Sequence, residues 1–295
     1  MIIKKYFALF IALFVGFISS AHANEGKPLS LDLSADKPLW EMGLFNAAFY
    51  GPIYPAAEDY QSKVLPVPFV IYRGKVFRLG DDSIVKAVAV EQERFKLDLS
   101  LGGAFNADSE DARIRQGMPD LDFMFEVGPE ASFLMTEFST LPEGFDDNGE
   151  LWLNLQLRAA FSTDFDSITQ RGYVFQPELA FTLDDALVED SRFFFSIAPT
   201  FSSDKNQQYF YDVGQAYVLP NRPYYKSHGG YLGTKVSVAH RVQINKSMML
   251  FGAVQLGFWQ QGQNIDSPLY REEFTYSLAL GLKWTLFSSK QTVGL

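Results

Sequence analysis

One stretch narrows what this chain can fold into more than any other. From Leu151 it reads Leu-Trp-Leu-Asn-Leu-Gln-Leu-Arg-Ala-Ala-Phe-Ser. Leu151, Leu153, Leu155, Leu157, Ala159 and Phe161 share one parity, and Asn154, Gln156, Arg158 and Ser162 share the other. Side chains alternate faces along a strand, so the segment is a strand with one apolar and one mainly polar face. The two-residue period recurs along the chain. Phe95, Leu97, Leu99 and Leu101 oppose Lys96, Asp98 and Ser100; Phe123, Phe125, Val127, Ala131 and Phe133 oppose Asp122, Glu126, Glu130 and Ser132. Phe175, Leu179 and Phe181 oppose Gln176, Glu178 and Thr182; Tyr276, Leu278, Leu280, Leu282, Trp284 and Leu286 oppose Thr275, Ser277, Ala279, Gly281, Lys283 and Thr285. Most of these runs exceed the five or six residues typical of a soluble strand. They match the ~9–11 residues that cross an outer membrane at a tilt of about 45°.

The period alone cannot separate a soluble sandwich from a membrane barrel, because turning the sheet inside out preserves it. Three further features favour the barrel: strand length, aromatic content and the N-terminus. Aromatic residues make up 16% of the chain, with 28 Phe and 14 Tyr. Trp40, Tyr50, Tyr72, Phe105, Trp152, Tyr173, Trp259, Tyr276 and Trp284 lie near predicted strand ends, where an interfacial girdle would place them. Residues 1–23 carry Lys4 and Lys5, an apolar run from Tyr6 to Ile18, and Ala21-His22-Ala23, the three parts of an export signal peptide. That run is too short to span a bilayer as a helix, and no later stretch is long and apolar enough to do so.

The segments predict an all-β, transmembrane antiparallel up-and-down β-barrel of about twelve strands. The weak point is 75–91, where a bulge in place of a hairpin tip would reduce the count to ten. The expected organisation is a signal peptide over 1–23, a periplasmic lead over 24–38, the barrel over 39–287 and a periplasmic tail over 288–295. The long stretches 106–120, 204–230 and 260–272 should then lie outside the cell, and the short turn at 244–246 in the periplasm.

Composition excludes several chemistries. There is no Cys, hence no disulfide framework, thiol nucleophile or Cys-ligated metal. A net charge of −10 argues against nucleic acid as a partner. No catalytic motif with the H-E-x-x-H, G-x-S-x-G or P-loop pattern occurs. Asp120 and Asp122, at a spacing of two, suggest either a cation contact or a salt bridge to Arg113 or Arg115. Asp146-Asp147-Asn148-Gly149 lacks the spacing of a calcium loop and reads as a turn. His228 reads as a loop residue and His240 as a strand-end residue at headgroup level. No catalytic, cofactor or metal residue is therefore assigned. The polar faces nominate Lys96, Asp98, Asp122, Glu126, Arg158, Glu178 and Lys283 as lumen-lining. Tyr209, Tyr211, Tyr217, Tyr224 and Tyr225 crowd one long loop, which would be either a contact surface or a plug folded back over the barrel.

The order of short motifs also resembles a known family. Tyr50-Gly51-Pro52-Ile53-Tyr54-Pro55 is followed by Pro66-Val67-Pro68 and Tyr72-Arg73-Gly74-Lys75-Val76-Phe77. Ala112-Arg113, Gly117-Met118-Pro119-Asp120-Leu121-Asp122 and Val127-Gly128-Pro129 come next, then Tyr224-Tyr225 before Gly229-Gly230, and Ser267-Pro268-Leu269. From about 40 to 287 this arrangement resembles the MipA/OmpV family of outer-membrane MltA-interacting proteins, with Gly51-Pro52 where the family usually has Gly-Ser. The resemblance implies a non-enzymatic barrel in the cell outer membrane, in contact with lipid. It also implies a scaffold or envelope-maintenance role, with a lytic murein transglycosylase and a murein synthase as partners. The alternative function is a narrow solute channel.

Overall fold

The computed structural model describes residues 38–73, 78–79, 90–140, 148–185 and 188–292. The expected signal peptide and nearly all of the lead lie outside these residues. Twelve strands are described: β1 (Trp40–Pro52), β2 (Tyr60–Arg73), β3 (Arg78–Leu79), β4 (Val90–Gln92), β5 (Phe95–Ala104), β6 (Phe123–Phe138), β7 (Gly149–Thr163), β8 (Ile168–Asp184), β9 (Ser191–Ser202), β10 (Gly230–Asn245), β11 (Met248–Phe258) and β12 (Phe274–Ser288). One helix of note, α1 (Asp204–Tyr211), sits between β9 and β10.

All twelve strands join one sheet in the order β3-β2-β1-β12-β11-β10-β9-β8-β7-β6-β5-β4. Each described pairing is antiparallel, and β1 pairs with β12 from Glu41↔Ser288 to Tyr50↔Leu278. First strand against last is the closing contact of an up-and-down barrel. The two edges of the described sheet, β3 and β4, are consecutive in the chain, and the residues joining them, 80–89, lie outside the described set. The hairpin reading of 75–91, and with it the count of twelve, agrees with this arrangement.

The sheet is built inside out relative to a soluble protein. In β7, Trp152, Asn154, Gln156, Arg158, Ala160 and Ser162 are all buried, while Leu155 and Leu157 are exposed. In β12, Thr275, Ser277 and Ala279 are buried, while Leu280 is 64% exposed and Tyr276, Leu278 and Trp284 are also exposed. Val64, Leu99, Phe133, Phe175, Leu179, Ile197 and Val254 extend the exposed apolar face round the other strands. Apolar area left in water costs about 25 cal/mol per Å², so a belt of this extent is stable only against lipid.

Three of the expected girdle aromatics belong elsewhere. Trp152 has the inward parity of β7 and is buried, its indole N–H donating to Glu150 at 3.1 Å. Trp259 lies just past β11 and turns inward, donating to Thr275 Oγ1 at 2.8 Å. Phe105 packs at a tilt of 39° against Phe49, with ring centroids 5.0 Å apart, and lines the interior. Tyr50, Tyr72, Tyr173, Tyr276 and Trp284 do face outward. Position near a strand end did not reveal parity, and parity decided the outcome.

Gly128 shows why a glycine stands in mid-strand. A Cβ there would lie 1.9 Å from the Leu157 carbonyl oxygen, so only glycine lets β6 lie this close to β7.

The long segments 105–122, 203–229 and 259–273 gather at one end, joined by 53–59. The tight turns at 93–94 and 246–247 lie at the other, with the start of β1 and the end of β12. The described part of the tail, to Thr292, is joined to the start of the barrel: Leu39 donates to Gln291 O at 2.8 Å, and Pro38 bridges Thr292.

Candidate functional site

The interior holds a band of paired polar groups across β5 to β8. The Arg158 guanidinium lies 2.9 Å from Glu126 Oε2 through Nε, 3.2 Å from Ser100 Oγ through Nη1 and 2.7 Å from Gln176 Oε1 through Nη2. Nη1 also donates to Gln156 Oε1. Gln156 and Asn154 in turn donate to Glu178 Oε2, at 3.3 and 3.2 Å. Ser132 donates to Glu130 at 3.2 Å. Buried charge is tolerable when paired and hydrogen-bonded in this way. Local sequence makes the room: a Cβ on Gly102 would sit 2.7 Å from Glu126 Oε2 and 3.1 Å from Arg158 Nε.

Towards the terminal end, the Lys96 ammonium lies over the Trp152 ring, 4.5 Å from its centroid. Lys283 is 3.7 Å from Glu41 and 5.1 Å above Phe69. Of the residues nominated for the lumen, Lys96, Glu126, Arg158, Glu178 and Lys283 take these inward positions. Asp98 has the same register, opposite Glu130. Asp122 stands apart. It precedes β6 at the mouth, accepting from Ser162 Oγ at 3.2 Å and lying 3.7 Å from Arg171 rather than from Arg113 or Arg115. Its neighbour Asp120 accepts from the Ser109 N–H at 2.8 Å. Among the described residues no cluster of three or more metal-ligating side chains occurs. Asp146 and Asp147 lie outside those residues.

The long loops fold together as a cap over this end. Ile53, Tyr54, Ala57, Ile114, Phe210, Tyr211, Val213, Trp259 and Leu269 form one buried apolar cluster drawn from separate loops. Tyrosine hydroxyls tie the loops to one another. Tyr211 donates to Pro55 O at 2.8 Å, Tyr54 to Leu269 O at 2.8 Å, and Tyr270 to Leu232 O of β10 at 3.1 Å as well as to Trp259 O of its own loop at 2.6 Å. Burial pushes all three hydroxyls above the ordinary tyrosine range, so they stay protonated donors. Arg222 reaches across to Ile114 O and Gln116 O, at 2.7 and 2.9 Å. Arg113 closes the rim against Asp59 at 3.1 Å and Glu58 at 3.4 Å.

The tyrosine-rich loop is therefore part of the cap. Tyr211 is in its core, Tyr209, Tyr217 and Tyr225 pack against it, and Tyr224 is exposed. Tyr209 also carries the Arg171 guanidinium 4.2 Å above its ring. His228 donates its backbone N–H to Asn264 at 2.9 Å, and His240 shares the outward parity of Val238.

Between the cap and the wall of β1, β2, β11 and β12 lies a cavity of about 160 Å³. Phe45, Phe49, Phe105, Trp259 and Tyr54 line it, with Lys235 and Gln255 among its polar groups. Lys235 was missed in the sequence because its strand neighbours are small or aliphatic. The parity of Lys235, Ser237 and Ala239 against Val236 and Val238 was the available signal.

Solved structures with a similar course of chain are far apart in sequence. The NanC porin is 8% identical, with 83% of this chain and 100% of that one covered and a TM-score of 0.39. A Pseudomonas aeruginosa FadL homologue is 10% identical, with 94% and 76% covered and a TM-score of 0.36. The CymD monoaromatic hydrocarbon channel is 9% identical, with 95% and 82% covered and a TM-score of 0.30. A search of curated proteins gives no match. The family profile described as MltA-interacting protein MipA matches residues 44–286, which takes in the barrel from β1 to β12. An outer-membrane β-barrel with a polar, capped lumen, the chain belongs to the MltA-interacting protein MipA family.

Proposed function

We propose that this protein is a non-enzymatic scaffold of the outer membrane, exported by the signal peptide at 1–23, whose barrel anchors a periplasmic partner to the envelope. The observation that carries the reading is the cap. An apolar cluster shared by several loops, with Tyr54, Tyr211 and Tyr270 bonded to backbone carbonyls, covers one mouth of a lumen lined on one wall by the Glu126–Arg158 network. A closed barrel suits an anchor better than a pore. The family description, MltA-interacting protein, points to a murein enzyme as partner, either a lytic transglycosylase or a synthase held beside it. The narrow-channel reading rests on the same charged interior and requires the cap to move.

Affinity capture from cross-linked, detergent-solubilised envelopes, paired with planar-bilayer recording, tests the choice. The scaffold reading expects murein enzymes in the captured fraction and no steady conductance. Conductance with no murein enzyme recovered would replace it with the channel.

A further inference from the structure

The scaffold reading makes no use of the cavity beneath the cap, yet its walls are those of a small-molecule site. Ligand sites are mostly apolar and aromatic with a few convergent polar groups. Here the aromatic part is Phe45, Phe49, Phe105 and Trp259, and the polar part is Lys235, Gln61 and Gln255. The size is informative: an apolar cavity of about 150 Å³ accommodates one benzene ring, and this one measures about 160 Å³.

The charge supplies the second constraint. Lys235 projects inward from β10, opposite Ala198 on β9 and Gly257 on β11, and the Trp259 indole packs over Gly257 on the same wall. Among the described residues its ammonium has no hydrogen-bond or ion-pair partner. The charges within electrostatic reach are Glu126, Glu178 and Arg158. Glu126 is engaged by the Arg158 guanidinium at 2.9 Å, and Glu178 accepts from the amides of Asn154 and Gln156 through Oε2, its buried Oε1 having no hydrogen-bond partner among the described residues. A partly buried ammonium that makes no hydrogen bond or ion pair is a strong donor to an incoming anion. Gln255 is held by Ser237 Oγ at 3.2 Å, which fixes a carboxamide on the same wall.

We infer that the cavity binds a monocyclic aromatic carboxylate, its ring among Phe45, Phe49, Phe105 and Trp259 and its carboxylate on Lys235. Neither half suffices alone: an aliphatic anion would leave the aromatic walls unfilled, and a neutral arene would leave the ammonium without a partner.

The test uses the full chain folded in detergent micelles, with tryptophan fluorescence as the readout because Trp259 lines the cavity. Titration with benzoate, benzyl alcohol and benzylamine holds the ring constant and varies the charge. The inference expects saturable binding of benzoate, benzyl alcohol weaker by about tenfold or more, and no saturable binding of benzylamine. Lys235→Met should weaken benzoate by about tenfold or more and leave benzyl alcohol unchanged, while Lys235→Arg should keep benzoate. Heat-modifiable mobility checks that each variant is folded. If Lys235→Met does not fold, the three wild-type titrations decide. The absence of a saturable benzoate response, benzylamine binding as tightly as benzoate, or a folded Lys235→Met indifferent to ligand charge would each overturn it.

Discussion

Arg158 satisfies its guanidinium with side chains, on Glu126, Ser100, Gln156 and Gln176, so its removal strands the partly buried Glu126 carboxylate in the interior. Arg158→Met should destabilise the barrel by about 3–5 kcal/mol, and adding Glu126→Gln should recover most of that. Chemical unfolding in lipid bilayers measures both. No recovery in the double variant would mean that the ion pair is incidental to stability. The outward register makes a different demand. Leu280→Arg places a charge in the lipid belt and should cost about 2–4 kcal/mol, whereas Ala279→Arg, next along the chain, borders the cavity and should cost much less. Equal costs would contradict the assignment of faces. The sequence pattern alone would offer Gln156 as an equally tolerant inward site. The structure does not, because Gln156 is 1% exposed and bonded to both Arg158 and Glu178, so a second guanidinium there would break the band.

The cap is held together by hydroxyls whose protonation matters. Tyr54, Tyr211 and Tyr270 are raised above the ordinary tyrosine value by burial, and each donates to a carbonyl of another segment, Tyr270 to Leu232 O at the start of β10. Folded and opened forms are both neutral below about pH 10, so the cap's stability is fully present there. Above that pH the opened form releases protons more readily, and the stability is lost as pH rises towards the folded values. Protease nicking within 203–229 should therefore begin above about pH 10, together with a late, cooperative rise in tyrosinate absorbance. Nicking at neutral pH would show that the loop is open from the start. At this scale the sequence was legible only in part. Period two located β5, β6, β7, β8 and β12, because each has one lipid face and one lumen face. The cap was legible only as one of two readings of the tyrosine-rich loop, a plug or a contact surface, since loop residues obey no period and Tyr211 reaches Pro55 from 156 positions away. The cavity was hidden for a related reason: Lys235 belongs to the β10–β11 hairpin and Trp259 lies just past it, and Phe49 of β1 joins them only on closure.

Closure of the whole molecule rests on β1 against β12, a contact between residues more than two hundred positions apart, and Leu39 extends it to Gln291 beyond β12. What such a ring encloses decides whether it is a core or a lumen, and alternation is silent on that point. Buried Asn154, Gln156 and Arg158 beside exposed Leu155 and Leu157 give the answer within a single strand. The most direct measurement is a nitroxide scan of β7 in lipid bilayers, one label at a time from Leu151 to Thr163, on a background that contains no cysteine. Collision with oxygen dissolved in the lipid should alternate with period two, high at 153, 155, 157 and 159 and low at 154, 156, 158 and 160. The opposite phase, or uniform accessibility along the strand, would contradict a barrel with its polar face inside.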